Sequence, residues 1–203
     1  MVGPYCTVFA GPNGSGKSSI YDKIRPPGEF VNADLIEASL QLDVEPAARK
    51  VRAGRIAITR INELMTLKTD FAFETTLSSH HSLSVLAKAK TAGYRIGMVF
   101  VGLDSAERNV ERVQYRVKLG GHDIPREDVV RRYDIAFNNL EKALRIVDDA
   151  VIFDNSDKEP QILCEIADGK VAMLGYFGGI PMHKRIADIV NRTFSGHVKV
   201  LGQ

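Results

Sequence analysis

Short apolar runs alternate with amphipathic stretches along most of the chain. Tyr5 to Ala10 is the first apolar run and leads into a glycine-rich loop. Ser18 to Ile24 reads as a short helix, stopped by Arg25-Pro26-Pro27-Gly28. Glu29 to Asn32 predicts a short strand, and the helical Leu35-Ile36-Glu37-Ala38 follows it. Glu45 to Lys68 predicts a long helix, because Val51, Ile58, Ile61, Leu64 and Met65 recur at helical spacing. Phe71-Ala72-Phe73 is a buried-strand pattern. Ser82 to Ala92 predicts a helix closed by Gly93, and Tyr94 to Leu103 a core strand. Two helices follow, Ser105 to Leu119 and one opened by Pro125, joined through Gly120-Gly121 and the turn His122-Asp123-Ile124-Pro125. The second runs on through Asp134 to Val147, and Ala150 to Phe153 is a fifth strand.

This alternation predicts an α/β protein with a doubly wound parallel five-stranded core sheet. Gln161 to Ala167 and Lys170 to Tyr176 predict a β-hairpin turning at Asp168-Gly169. Pro181 to Phe194 predicts a last helix, with Met182, Ile186, Ile189 and Val190 as its packing stripe. The expected organisation is a core over residues 1–160, with a helical-hairpin lid at about 105–133, and a C-terminal hairpin and helix over 161–203 packed on it.

Composition adds bounds. With 203 residues, 44% hydrophobic and 26% charged, the chain has the make-up of an ordinary globular protein. A net charge of +2 gives no basic field for duplex nucleic acid or an anionic membrane. No apolar run approaches the length of a membrane span. The N-terminus enters the first strand without a signal-peptide layout, so cytoplasm is the expected location. Cys6 and Cys164 are expected as buried free thiols.

The chemistry starts at Gly11-Pro12-Asn13-Gly14-Ser15-Gly16-Lys17-Ser18, which matches the phosphate-loop pattern G-x-x-x-x-G-K-[ST] at every fixed position. The fold class is therefore that of a P-loop NTPase. The glycines let backbone N–H groups converge on phosphate oxygens, and a helix starting near Lys17 points its N-terminal donors at the same anion. Residues Gly11 to Ser19 are the expected ATP site, with Lys17 on the β/γ-phosphates and the Ser18 hydroxyl on Mg²⁺.

Other polar groups fall at predicted strand ends. Asp34 follows Asn32-Ala33 at a strand-to-helix junction, where it can be an N-cap, a general base for a substrate hydroxyl, or both. Glu74, Thr75 and Thr76 emerge together after Phe73, and Glu74 can bind substrate hydroxyls or hold a Mg²⁺-bound water. Asp154-Asn155-Ser156 reads either as a plain turn or as the loop that holds adenine. Arg108, Arg112 and Arg116 share one helix face, and Arg126, Arg131 and Arg132 lie on the next helix. Such a hairpin is either a solvated one laced with acids or a lid whose arginines clamp a transferred phosphoryl group. The basic residues of the long helix, Arg49, Lys50, Arg52, Arg55 and Arg60, read as a solvated face, with Arg52 or Arg55 as the alternative contact to substrate. His80 and His81 are adjacent and so point to different sides of a helix, a weak metal signal.

Taken in order, Ala10 to Ser18, Val31-Asn-Ala-Asp34, Phe73-Glu-Thr-Thr-Leu-Ser78, Glu111-Arg-Val-x-x-Arg116, Gly120 to Pro125, Arg131-Arg-Tyr133 and Asp154-Asn-Ser156 resemble the zeta toxin family, in its short single-domain branch. The resemblance covers residues 5–156. It implies a kinase-like fold. The best understood members use ATP to phosphorylate UDP-N-acetylglucosamine and are restrained by a small antitoxin. It implies Asp34 as catalytic base, Glu74 on the substrate sugar, Lys17 and Ser18 as phosphate and Mg²⁺ ligands, and Arg112 as the first lid arginine; Asn32, Thr75 and Thr76, close in sequence to Asp34 or Glu74, are expected on the substrate with them. Arg116, Arg131 and Arg132 are candidates for the second. The resulting expectation is an ATP-dependent phosphotransferase acting on a hydroxyl of a small sugar-containing metabolite. Its rivals are a nucleotide-binding switch or toxin–antitoxin protein with little turnover, and a nucleic-acid end kinase. With 7% aromatic residues and no Trp, the end kinase lacks the aromatic channel it needs.

Overall fold

The computed structural model describes residues 3–40, 45–121, 123–175 and 179–194. In chain order the elements are β1 (Tyr5–Ala10), α1 (Lys17–Ile24), β2 (Glu29–Val31), α2 (Ala33–Ser39), α3 (Pro46–Leu67), β3 (Phe71–Thr75), α4 (His80–Thr91), β4 (Arg95–Gly102), α5 (Ala106–Lys118), α6 (Arg126–Leu144), β5 (Asp149–Asp154), β6 (Gln161–Ala167), β7 (Lys170–Leu174) and α7 (Pro181–Thr193). His122, Tyr176 and residues 195–203, all parts of expected elements or domains, lie outside the described residues.

The strands form one sheet in the order β2-β3-β1-β4-β5-β6-β7. The first five are mutually parallel, and β6 and β7 add antiparallel. The expected C-terminal hairpin therefore extends the sheet by main-chain pairing to β5. Parallel pairing in register sets the C-terminal ends of β2, β3, β1, β4 and β5 side by side along one edge of the sheet, where α/β ligand sites form.

Strand alternation divides the core between the two faces. Cys6, Val8, Phe71, Phe73, Ile96, Met98, Phe100 and Ile152 point to one face, which is covered by α3, α4, α6 and α7. Phe9, Ala72, Val99 and Val101 point to the other, where Ile20 and Tyr21 of α1 pack with Phe30. Phe137 of α6 is fully buried in the first face and edge-on to Phe100 at 5.3 Å. The α5–α6 pair has its own small core of Val110, Val113, Ile124 and Val129. Cys6 and Cys164 are buried free thiols, and burial raises the pKa of both, Cys164 to about 12.

One periodicity reading changes. Val51 is 55% exposed, and the buried stripe of α3 is Ala53, Ala57, Ile61, Leu64 and Met65. Val51 stands two residues before Ala53, nearly opposite it on a helix of 3.6 residues per turn. Among the described residues no helix is long and apolar enough to cross a membrane.

The far edge of the sheet is closed by a polar network. Asp149 accepts from Arg95 Nε at 2.7 Å, Arg95 Nη2 at 2.6 Å, Tyr5 Oη at 2.6 Å and the Asp168 amide at 3.1 Å. Partial burial alone would raise its carboxyl pKa; the bonds from Arg95, Tyr5 and Asp168 outweigh that and hold it below the usual value. A depressed folded-state pKa contributes stability above the unfolded pKa, of about 3.9, and that contribution is lost as pH falls through the folded value. In urea titrations from neutral to acid pH, Asp149→Asn should lower stability near neutrality and flatten its decline below about pH 4. Phe137→Ala should cost about 3–5 kcal/mol in the same assay at neutral pH, because it empties a closed site between sheet and helix.

Candidate phosphotransfer site

The glycine-rich loop leaves the C-terminal end of β1 and is pressed in from behind. Gly16, the N-cap of α1, has φ +92, and a Cβ there would stand 2.3 Å from Asn155 Nδ2. Gly14 has φ +77 and faces the Asn109 carbonyl, where a Cβ would come within 2.7 Å. Both positions require glycine for conformation and for space. Gly11 is buried beside the Val101 carbonyl, and Ser15 is fully buried with no hydrogen-bond partner for its hydroxyl. The Pro12 carbonyl accepts the Ser15 amide at 3.3 Å and Lys17 Nζ at 2.9 Å, which folds the loop over the lysine.

Lys17 is 5% exposed. Burial lowers the pKa of its ammonium; Glu74 and Asp34 push it back up, and Arg116 adds to the lowering. A buried cation satisfied mainly by a loop carbonyl and a carboxylate 3.7 Å away is suited to receive phosphate oxygens. The loop, Lys17 and the start of α1 thus fit a nucleotide phosphate chain.

Glu74 is where the site's two halves join. Its Oε2 accepts from Ser18 Oγ at 2.9 Å and from Asn32 Nδ2 at 3.1 Å. A hydroxyl and a carboxylate at this spacing suit Mg²⁺, which is bound through one or two such groups plus substrate phosphates. Among the described residues no cluster of three or more His, Cys, Asp or Glu could hold a metal by itself, and His80 and His81 are exposed.

Two cavities meet here. One, of about 220 Å³, is lined by Asn13, Gly14, Gly16, Lys17, Ser18, Ser19, Arg112 and Arg116, together with Asp34 and Glu74. The other, of about 520 Å³, is lined by Asn32, Asp34, Glu74, Thr75, Thr76, Arg131 and Arg132, and by Asn13, Glu37, Lys50, Ser78, Ser79 and Ile124 among others. Asp34, Glu74 and Asn13 face both. Arg52 and Arg55 line neither, while Lys50 of the same helix lines the larger.

Several expected contacts take other forms. Asn32 is the N-cap of α2: its Oδ1 accepts from the amides of Asp34 at 2.8 Å and Leu35 at 3.3 Å. Asp34 is therefore not the cap, and its carboxylate is left to the cavities. The Asn32 side chain is spent on that cap and on Glu74, so it positions both carboxylates. Thr75 Oγ1 is 2.6 Å from Ser82 Oγ and Thr76 Oγ1 2.7 Å from Ser78 Oγ, so both hydroxyls already have partners within the turn into α4.

Asp154 and Asn155 line neither cavity. Asp154 is 6% exposed; its Oδ1 accepts the Ser156 amide at 2.9 Å and hydroxyl at 2.5 Å, and its Oδ2 is 2.6 Å from His183 Nε2. Asn155 Nδ2 donates to the Ser15 carbonyl at 2.8 Å. Both side chains are thus engaged within the protein, Asp154 buried on Ser156 and His183, and Asn155 on the phosphate loop. Asn109 gives further support that the sequence reading missed: its Nδ2 donates to the Asn13 carbonyl at 2.5 Å. The available signal was an amide on the apolar face of α5 beside Val110 and Val113.

The arginines divide. Arg112 Nη2 donates to the Asn155 carbonyl at 2.8 Å, and burial, then Arg108, lowers its pKa. Arg108 pairs with Asp104 at 2.8 Å. Arg116 lines the smaller cavity with Lys17. Arg132 reaches back to Asn13 Oδ1 at 3.2 Å, and Arg131 pairs with Asp128 at 2.6 Å.

The chain is similar to known proteins in sequence and in fold. A protein of Haemophilus influenzae, itself uncharacterized, is 30% identical over 126 residues, 62% of this chain and 89% of that one. A chain of the AvrRxo1-ORF1:AvrRxo1-ORF2 complex, crystallised with sulphate ions and also with ATP, is similar in fold, with TM-scores of 0.71 and 0.67 at 17% and 15% identity. Each match covers 97% of this chain but 66% of that one, so the chain spans just under two thirds of that relative. A chain of the PezAT chromosomal toxin–antitoxin system of Streptococcus pneumoniae is similar at a TM-score of 0.57 and 14% identity, over 98% of this chain and 80% of that one. The family model described as zeta toxin matches residues 41–160, more than half of the sequence, and the chain belongs to the zeta toxin family.

Proposed function

We propose that the protein transfers the γ-phosphoryl group of ATP to a hydroxyl of a small, sugar-containing metabolite, with UDP-N-acetylglucosamine the first acceptor to test. The observation that carries this reading is the meeting of the two cavities at Asp34 and Glu74. The smaller one has the amides, buried lysine and arginines of a phosphate site. The larger has the volume and polar lining of a small-molecule site. That the AvrRxo1 complex was crystallised with ATP supports a nucleotide on the phosphate-loop side.

In this reading Lys17, now on the Pro12 carbonyl, and the loop amides hold the phosphate chain. Ser18, with Glu74 behind it, would hold Mg²⁺, which supplies neutralisation of phosphate charge. Asp34 faces both cavities and accepts the proton of the acceptor hydroxyl. Arg112 and Arg116 come from α5 and Arg132 from α6, so closure of this hairpin on the phosphoryl group spreads its charge and excludes water. Arg132 takes the second lid role over Arg131, because its guanidinium already reaches the phosphate loop through Asn13. PezAT is a toxin–antitoxin system, and a separate antitoxin chain belongs to this proposal as the partner.

Asp34→Asn should lower phosphoryl transfer about 10²–10⁴-fold, measured as phosphorylated acceptor over a panel of sugar nucleotides, with Mg·ATP affinity nearly unchanged. Full transfer by that variant would rule out Asp34 as the base. Lys17→Ala should abolish measurable Mg·ATP binding in titration calorimetry; normal binding would remove the phosphate site itself from the reading.

A further inference from the structure

The last helix carries a buried histidine on its apolar stripe. His183 of α7 is 3% exposed, between Met182 and Ile186, and α7 lies beyond the residues that the family model matches. Its Nε2 meets Asp154 Oδ2 at 2.6 Å. The other oxygen of Asp154 takes the amide and hydroxyl of Ser156, so both oxygens are engaged and the 154–156 turn is held in one shape. The middle residue of that turn reaches the phosphate loop and α5. Asn155 donates from its side chain to the Ser15 carbonyl at 2.8 Å and accepts Arg112 on its own carbonyl at 2.8 Å. The turn therefore touches both the phosphate loop and the first lid helix from behind, where neither cavity reaches.

We propose that His183 is a positioning residue for the nucleotide site, acting through Asp154 and Asn155 to hold the phosphate loop and Arg112 in their phosphate-receiving arrangement. This rests on the reading of the loop as an ATP site. The physical basis is the cost of a buried carboxylate: without the imidazole, one Asp154 oxygen loses its partner in a site with little access to water. The turn then shifts to satisfy it. Asn155 moves with the turn, because its backbone is part of it, and the close fit between Gly16 and Asn155 Nδ2 passes the shift to the loop.

A reach series tests this. In His183→Gln the amide nitrogen extends about as far as Nε2; in His183→Asn it falls short. Titration calorimetry with Mg·ATP should show a dissociation constant close to wild type for His183→Gln and raised about tenfold for His183→Asn. Asn155→Ala should raise it as well. Combining Asn155→Ala with His183→Asn should add little to the larger single effect, since both act on one path. A role in packing alone predicts a lower melting midpoint for His183→Asn with unchanged affinity in the folded protein, and that result overturns the proposal. So do losses that multiply in the double variant.

A second measurement uses wild-type protein and does not depend on a variant that folds. The His183 ring resonances should shift on addition of Mg·ATP, although the ring lines neither cavity, because coupling between sites is reciprocal. Unmoved resonances at saturating nucleotide contradict the proposal. If the wild type itself does not bind Mg·ATP, it is the ATP-site reading that has failed.

Discussion

Glu74 binds three strand ends to one another. Its carboxylate receives Ser18 from the start of α1, Asn32 from the start of α2 and the field of Lys17 from the phosphate loop. Hydrogen bonds to a carboxylate are about twice as strong as neutral ones, so Ser18 and Asn32 are held firmly to this one. It can act there only because β2, β3 and β1 are adjacent and parallel, which sets their C-terminal ends beside one another. Asn32 extends the arrangement. By capping α2 while donating to Glu74, it fixes where the next carboxylate, Asp34, stands. The two acids that face both cavities are thus placed by one amide.

The loop between them and the nucleotide side is held by packing more than by its own sequence. It is bounded by the Asn109 carbonyl beside Gly14 and Asn155 beside Gly16, and both contacts require glycine. Asn109 and Arg132 bind the two ends of Asn13, its carbonyl and its side chain, from α5 and α6. The α5–α6 hairpin is therefore connected to the phosphate loop through Asn13. A nucleotide that competes for Arg132 would trade its bond to Asn13 for one to phosphate, a modest local exchange.

What the sequence made legible was local. The phosphate loop declares itself because its chemistry lies in eight consecutive residues, and Glu74 and Asp34 because they lie at, or just past, the C-terminal end of a short strand, at a predictable edge. The parallel core followed from alternation of strand and helix patterns. What it hid was long-range. Asn109 and Asn13 are 96 residues apart, and His183 and Asp154 are 29 apart, so neither pairing leaves a spacing to read. Asp154-Asn155 stayed open between a plain turn and an adenine loop, because a turn that supports a loop and a turn that holds a base have the same composition. Lys50 looked like part of a solvated face, since α3 spreads basic residues around its circumference and only the packing of α2 shows which one borders a cavity. Asn32 was read as a substrate contact; it lines the larger cavity, and its ordering of the two acids beside it shows only in the fold.

The central claim is geometric: one site, with phosphate donor and acceptor on either side of Asp34 and Glu74. A crystal structure with Mg²⁺ and a non-hydrolysable ATP analogue tests it most directly. The account predicts the phosphate chain on the Lys17 side, with its terminal phosphoryl group pointing past Ser18 into the larger cavity, next to Asp34 and Glu74. A terminal phosphate directed away from that cavity, or a nucleotide bound elsewhere on the chain, would contradict it.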